Sequence, residues 1–277
     1  GTERGHAVSV ARAEHPTGPF EPHPANPIFS HRSTPHPVQN VGHADLIEHP
    51  DGTWSAVYLG VRPRGNTPGF SPLGRETFLA SVDWVDGWPR FGAPAHEPAS
   101  PGHAFFDQLT TPTLHPRWVV PAGEPDLVVR AGADGAELVR TPSTDHGSLL
   151  CARVLDPFWQ VEAAFDLTEG GGRLVLRLDD RHWCAVEADA TEVRATGQAG
   201  PFAQTFQRAE ADASDIVLVI AVVADPGADA LGTNSGPDEV QLGYRQGETV
   251  VVLARLDGRY FTPEVAGGFT GRVVGIG

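Results

Sequence analysis

Hydrophobic and polar residues alternate along much of this chain, and the spacing typical of an amphipathic helix is hardly seen. The clearest alternation runs from Trp159 to Leu167, which is typical of a strand with one face in a core and one in water. Ile216–Ala224 is apolar at every position and predicts a central strand buried on both faces. Similar strands are predicted at Asp126–Arg130, Glu137–Arg140, Leu174–Leu178, Trp183–Glu187, Thr249–Leu256 and Arg272–Ile276. Turn residues separate these segments regularly, so residues 102–277 are predicted to form an all-β sandwich or barrel.

The first ninety residues follow a different pattern, in which short strands pair as hairpins. Ala44–Glu48 and Trp54–Leu59 flank a Pro-Asp-Gly turn, and His6–Ala13 and Thr77–Val82 are further predicted strands. The stretch 92–101 contains three prolines and no periodicity, so we predict one domain over 1–91, a linker at 92–101 and a second domain over 102–277. The linker and the Pro63–Pro72 loop are the expected protease sites.

Composition narrows the function classes. The chain has 20 basic and 35 acidic residues and a net charge of −15, so nucleic acid and anionic membrane surfaces are disfavoured as partners. The longest apolar run is the nine-residue segment Ile216–Ala224, well short of the roughly 20 residues of a membrane span. Cys151 and Cys184 lie in apolar runs and are predicted to be buried free thiols.

The sequence contains none of the common nucleotide-binding motifs, and it lacks the signature motifs of zinc peptidases and serine hydrolases. Gly170–Gly172 precedes a predicted strand and is interpreted as a hairpin turn rather than a phosphate-binding loop. The chain begins with Gly1, so we expect it to belong to a longer reading frame or to be processed. Its cellular location stays open, with the cytoplasm favoured over secretion.

Four short motifs occur in the order that a known enzyme family shows: G-H-A-D-L at 42–46, L-G-V-R-P at 59–63, L-G-R-E-T-F-L at 73–79 and W-V-D-G-W-P at 84–89. Together with the opening segment and with Glu264–Gly271, they resemble the C-terminal part of a family 43 glycoside hydrolase, of the β-xylosidase and α-L-arabinofuranosidase type. The resemblance implies an all-β fold: about two blades of a five-bladed β-propeller, followed by a concanavalin-A-like β-sandwich.

The same resemblance implies that no catalytic residue lies in this stretch. In the family, the base Asp, the pKa-modulating Asp and the acid Glu lie in the first three blades, the acid in a motif of E-G-P type. No Glu-Gly-Pro occurs in these 277 residues. We therefore expect the catalytic carboxylates to lie upstream and this stretch alone to be inactive. Asp45 is interpreted as a hydrogen-bonding residue rather than a catalytic one.

Three residues match positions that bind substrate in the family. Arg75 resembles the arginine that holds sugar hydroxyls, the alternative being a salt bridge to Glu76 or Asp83. His43 resembles the histidine at the pocket floor, which contacts substrate or binds calcium through a water; the alternative is a buried structural histidine. Phe269 resembles an aromatic wall of the leaving-group subsite, with a plain core residue as the alternative. Trp84 and Trp88 are interpreted as blade core.

Two functions of different class follow. The first is the C-terminal portion of an exo-acting, inverting glycosidase that releases terminal xylose or arabinofuranose from hemicellulose oligosaccharides. The second is a non-catalytic carbohydrate-binding β-sandwich module that carries a propeller remnant. The resemblance implies a xylo- or arabino-oligosaccharide partner and no required cofactor. It leaves open a structural calcium ion in the propeller channel and assembly into a homo-oligomer.

Overall fold

A computed structural model describes residues 3–65, 68–94, 103–121, 124–125, 128–133, 135–139, 148–168, 170–210, 216–225 and 235–277. Strands make up most of the regular structure, which confirms the predicted all-β class. The chain divides into two units, one formed by Gly1–Pro63 and Gly74–Pro101 and the other by Arg64–Leu73 and Gly102–Gly277. No helix among the described residues is long and apolar enough to cross a bilayer.

The first unit contains a four-stranded antiparallel sheet in which consecutive strands are neighbours. Its strands are β3 (Gln39–Glu48), β4 (Trp54–Val61), β5 (Glu76–Val85) and β6 (Trp88–Pro94). The predicted hairpin around the Pro-Asp-Gly turn is confirmed, because Leu46 pairs with Ala56 and Glu48 with Trp54. Thr77–Val82 lies within β5, also as predicted.

The segment that precedes this sheet is less regular than the sequence predicted. It holds a 3₁₀ turn (Glu3–Gly5) and a ribbon of two short strands, β1 (Ala11–Arg12) and β2 (Glu21–Pro22). His6–Ala13 is therefore a strand only at its end, apart from an isolated bridge between Val8 and Phe29. Phe29 packs beneath the sheet, 4.6 Å from the ring of Phe91 and 4.9 Å from that of Tyr58. This small core raises the pKa of Tyr58 to about 12 by burial.

The second unit contains a seven-stranded and a four-stranded antiparallel sheet, and its main apolar core draws residues from both sheets. The first has the order β15, β14, β13, β12, β19, β10, β7 and the second β11, β16, β17, β18. A separate ribbon pairs β8 with β9. The bounds are β7 Trp118–Val119, β8 Val129–Gly132, β9 Gly135–Leu138, β10 Leu150–Arg153, β11 Trp159–Ala164, β12 Gly172–Asp179, β13 His182–Ala188, β14 Glu192–Ala199, β15 Phe202–Glu210, β16 Ile216–Val223, β17 Glu239–Gln246, β18 Thr249–Asp257 and β19 Val273–Ile276.

Periodicity predicted the character of these strands well. β11 alternates between half-buried and exposed residues, and β16 is an inner strand that is buried along most of its length. Cys151 and Cys184 are buried free thiols, as predicted, and burial raises the pKa of Cys151 to about 11. The interpretation of Gly170–Gly172 as a hairpin turn is wrong. β11 pairs with β16 whereas β12 pairs with β13 and β19, so these glycines lie on a connection between two sheets.

A buried ion pair closes one end of the sandwich. Arg272 donates from Nη1 and Nη2 to the two carboxylate oxygens of Asp238, at 2.8 and 3.0 Å, and both side chains are almost inaccessible. It also donates to the carbonyl oxygens of Phe261 and Gly258, at 2.9 and 2.6 Å. Gly258 has to be a glycine because a Cβ there would overlap the Asp238 carboxylate.

The predicted domain bounds stay a prediction, and most of the predicted linker lies outside the described residues. The structure adds one feature that the sequence did not suggest. Residues Arg64–Leu73 lie between β4 and β5 along the chain, yet they group with the second unit.

Candidate functional site

His43 lies on an irregular part of β3. Asn40 and His43 both have a φ of 55°, and the pairing of β3 with β4 shifts between Gln39 and Gly42 and again between Gly42 and Asp45. Left-handed backbone is uncommon outside glycine, and bulges of this kind redirect side chains and are frequent near active sites. His43 is exposed. This corrects the alternative that it is a buried structural histidine.

His6 contacts this irregular segment. Its Nδ1 lies 2.9 Å from the carbonyl oxygen of Asn40, so Nδ1 carries the proton and donates it. The His6 ring packs over Gly42, where a Cβ would lie 2.6 Å from Nε2. Position 42 therefore requires glycine, because the His6 ring leaves no room for a Cβ atom. No role for His6 could be inferred from the sequence, because Asn40, its hydrogen-bond partner, lies more than thirty residues away.

A short loop leads into β3. His31 is buried, and its Nδ1 bonds the carbonyl oxygen of Val38 at 2.8 Å. The ring centroid of His36 lies 3.8 Å from that of His31. Burial, together with the neighbouring His36, lowers the pKa of His31 although the Val38 bond opposes this shift. We therefore expect the His31 ring to be neutral at pH 7.

Arg75 lies at the same end of the sheet as the irregular segment of β3. Gly42 pairs with Leu59 and Leu59 with Thr77, so these residues form one row across three strands. Arg75 precedes β5 directly and is half-buried. The sheet therefore brings the segments that carry His43 and Arg75 to one end.

Arg62 emerges as a further residue at this end of the sheet. It binds Glu76 in a bidentate manner, from Nε to Oε2 at 2.8 Å and from Nη2 to Oε1 at 2.7 Å. Both carboxylate oxygens of Glu76, one suggested partner of Arg75, are therefore engaged by Arg62. Such a paired geometry fixes orientation as well as charge. Arg62 lies in the L-G-V-R-P motif, but only the fold shows that it meets Glu76. The other suggested partner, Asp83, pairs in register with Arg90.

Phe269 belongs to the second unit. It follows Gly267 and Gly268, each with a φ of 87°, and α1 (Pro263–Ala266). The Phe269 side chain is 63% exposed, so it is not a core residue, and that alternative is wrong. An aromatic side chain held at the surface on a glycine-rich turn has the character of a contact residue.

The two tryptophans predicted as blade core are packed but not enclosed. The Arg12 guanidinium lies 4.2 Å over the Trp88 ring, and His23 meets the same ring edge-on at 4.9 Å. Trp84 meets Trp54 edge-on at 5.3 Å and is 46% exposed.

The residues around His43 do not make a calcium site by themselves. Calcium takes about six to eight oxygen ligands. Within the described part of the chain, no group of three or more His, Cys, Asp or Glu side chains converges as a metal site would require. The calcium ion therefore stays a prediction, and we derive no chemical step through it. Asp45 is exposed on β3.

The comparison with known protein families agrees with this geometry. The family described as Glycosyl hydrolases family 43 matches residues 1–89, which include His43 and Arg75. Residues 1–89 are thus similar to glycosyl hydrolase family 43. The chain is 49% identical over 94 residues to a non-reducing end alpha-L-arabinofuranosidase of Bacteroides ovatus, BoGH43B, and 52% identical over 91 residues to a xylosidase/arabinosidase of Butyrivibrio fibrisolvens.

Solved structures of family 43 proteins match the whole chain. The GH43B protein of the Bacteroides ovatus xyloglucan locus has a TM-score of 0.79 and 26% identity, and BlXynB of Bacillus licheniformis has a TM-score of 0.80 and 22% identity. Each match covers 100% of this chain but 57% of the other. The aligned segments are 17% of the two curated relatives, and 33% and 32% of this chain. The chain thus has an all-β fold like the matching part of these structures, a partial propeller followed by a β-sandwich, and spans little more than half of their length.

Proposed function

We propose that this chain is the sugar-binding C-terminal portion of an exo-acting, inverting glycoside hydrolase, which releases terminal xylose or arabinofuranose from hemicellulose oligosaccharides. The observation that carries the proposal is the family match over residues 1–89, which includes both His43 and Arg75. It is supported by the names of the relatives, one an arabinofuranosidase and one a xylosidase/arabinosidase.

In this proposal, Arg75 binds the sugar through hydrogen bonds. A guanidinium is planar, permanently charged and able to bind two adjacent oxygens, and it lowers the pKa of a nearby carboxylate. The Arg62–Glu76 pair supports the role, because it holds the start of β5 directly beside Arg75.

His43 contacts the sugar from the irregular segment of β3, and Phe269 provides an apolar contact for the leaving group. Because His43 is exposed and its backbone is held by neighbours, it can present an imidazole without a large ordering cost. The exposed Phe269 ring offers an apolar surface to the face of a sugar.

The acid and base of the reaction lie outside these 277 residues in our proposal. Inversion needs two carboxyl groups about 6.5–9.5 Å apart, one to protonate the leaving group and one to activate water. We assign no proton transfer to a residue of this chain. The isolated chain should therefore show no turnover of aryl xylosides or arabinofuranosides, since general acid–base catalysis contributes about 10²–10⁴-fold.

The test is kinetic and uses the complete reading frame. Arg75→Ala should lower kcat/KM on aryl xylosides or arabinofuranosides about 100-fold, as expected when a charged hydrogen-bonding group is lost from a desolvated site. Arg90→Ala, which removes an exposed arginine on β6, is the matched control and should keep wild-type kinetics.

Two results would contradict the proposal. The first is an Arg75→Ala enzyme with wild-type kcat/KM, which would place Arg75 outside the sugar site. The second is a reading frame that begins close to Gly1 and whose product binds xylo- or arabino-oligosaccharides without cleaving them. That result would favour the carbohydrate-binding module instead.

A further inference from the structure

The segment Arg64–Leu73, called the β4–β5 loop below, is held by the second unit although it connects two strands of the first. Phe70, Ser71 and Leu73 are 6%, 4% and 5% exposed. Loops between strands usually lie at the surface, because buried backbone groups need partners. The contacts of this loop show where those partners come from.

The amino-terminal end of the loop is fixed by Arg64. Its backbone N and O each bond Phe70, at 2.8 Å, which closes the loop on itself. Its side chain donates from Nε to the carbonyl oxygen of Pro237 at 3.2 Å, and its guanidinium lies 4.3 Å from the centre of the Phe158 ring.

The carboxyl-terminal end is fixed by the segment that follows β18. The buried amide of Ser71 donates to Oε2 of Glu264, in α1, at 2.9 Å. The amide of Arg272 donates to the carbonyl oxygen of Pro72 at 3.1 Å. Gly271 packs so closely on Leu73 that a Cβ would overlap the Leu73 carbonyl group. Three consecutive loop residues thus have partners within the nine-residue segment 264–272.

We propose that Glu264 is a positioning residue for Arg75. The proposal rests on the function proposed above. Glu264 accepts from the backbone of Ser71, four residues before Arg75, and only Pro72, Leu73 and Gly74 separate them. The Pro72 and Leu73 backbones are themselves held by Arg272 and Gly271. The bond therefore sets the backbone from which Arg75 starts. Without it, Ser71 loses its acceptor in a buried place and the end of the loop has to shift.

The first experiment measures hydrogen exchange in the 277-residue chain. Glu264→Ala should accelerate exchange of the Ser71 amide at least tenfold, because local opening exposes amides whose acceptor is lost. Glu264→Gln should stay near wild type, since its side-chain oxygen can still accept the bond. Glu248→Ala, in the exposed turn between β17 and β18, is the matched control. Unchanged exchange at Ser71 in Glu264→Ala would overturn the proposal.

The second experiment measures kinetics in the complete reading frame. Glu264→Ala should lower kcat/KM about tenfold, mainly through KM, and Glu264→Gln should restore most of it. If Glu264 only stabilised the fold, the loss of kcat/KM in Glu264→Ala would come with a lower melting temperature. A loss that Glu264→Gln rescues, at an unchanged melting temperature, therefore indicates positioning. Faster exchange at Ser71 with wild-type kinetics would show that the anchor exists but does not position Arg75, which would overturn the proposal.

A second variant covers the case in which Glu264→Ala fails to fold. Gly271→Ala would place a Cβ against the Leu73 carbonyl group and should give the same two effects. Gly170→Ala is its control, because a Cβ there meets no atom within 4 Å. Wild-type exchange and kinetics in Gly271→Ala would likewise overturn the proposal. If the proposed function itself is wrong, Arg75→Ala will have wild-type kinetics. This result distinguishes that failure from a failure of the positioning proposal.

Discussion

Replacing Asp238 by Asn removes one charge from a buried ion pair of the second unit. The side chains of Arg272 and Asp238 are 1% and 0% exposed, so the guanidinium of Arg272 has almost no access to water. Asparagine keeps the size of Asp238 and one acceptor oxygen but leaves the positive charge without a counter-charge. The substitution therefore isolates the electrostatic part of the interaction.

The expected loss is large because breaking a buried pair from one side typically costs about 3–5 kcal/mol. Asparagine retains part of the hydrogen bonding, so we expect the lower end, about 3 kcal/mol. For a unit of this size each kcal/mol lowers the melting temperature by about 2–4 °C, which gives a decrease of about 10 °C.

The assay is urea unfolding together with calorimetry of the whole chain. Arg255→Ala is the control, because the Arg255–Glu239 bond is 2.6 Å long but Arg255 is 54% exposed, and such a pair should contribute less than about 1 kcal/mol. An Asp238→Asn loss no larger than this control would refute the reasoning. Adding Arg272→Met should recover only part of the loss, since the carbonyl oxygens of Phe261 and Gly258 would lose their donor.

Two further predictions concern the first unit. Burial keeps the folded-state pKa of His31 below its unfolded value of about 6.5, so the unfolded state takes up the proton more readily and the free energy of unfolding should fall between pH 7 and 5. His31→Gln should flatten this slope in urea titrations, and an unchanged slope would contradict the assignment. Gly42→Ala should destabilise by about 1–3 kcal/mol through its clash with His6, and His6→Ala should relieve part of that loss in denaturation curves. If the stability losses of Gly42→Ala and His6→Ala simply add in the double variant, the contact between these two residues is contradicted.

The strands were predictable from sequence wherever side-chain period and burial agree. The apolar run at 216–224 predicted an inner strand, which β16 is. The alternation after Trp159 predicted a strand with one solvent-exposed face, which β11 is. Pairing was not predictable, because the residues of a turn do not determine which distant strand is the partner. The prediction of a hairpin turn at Gly170–Gly172 was wrong for this reason. The prediction of one strand over His6–Ala13 was wrong because this stretch pairs with two separate segments. Val8 pairs with Phe29, and Ala11 pairs with Pro22.

The candidate site could be located from motifs but not described from them. The motifs name His43 and Arg75, and the strand register places the segments that carry them at one end of a sheet. The left-handed backbone of His43 and the approach of His6 depend on tertiary contacts that no local pattern encodes. The bond between Ser71 and Glu264 joins residues 193 positions apart, a separation over which a single sequence carries no pairing signal.

The placement of the β4–β5 loop limits how the gene can be recombined. A crossover at the proline-rich stretch 92–101 is the obvious way to give this propeller segment a different sandwich. Such a chimaera would inherit the β4–β5 loop without the glutamate, the glycine and the carbonyl group that hold it here. Successful exchanges should therefore transfer residues 64–73 together with the sandwich, so that the unit of inheritance is discontinuous in sequence.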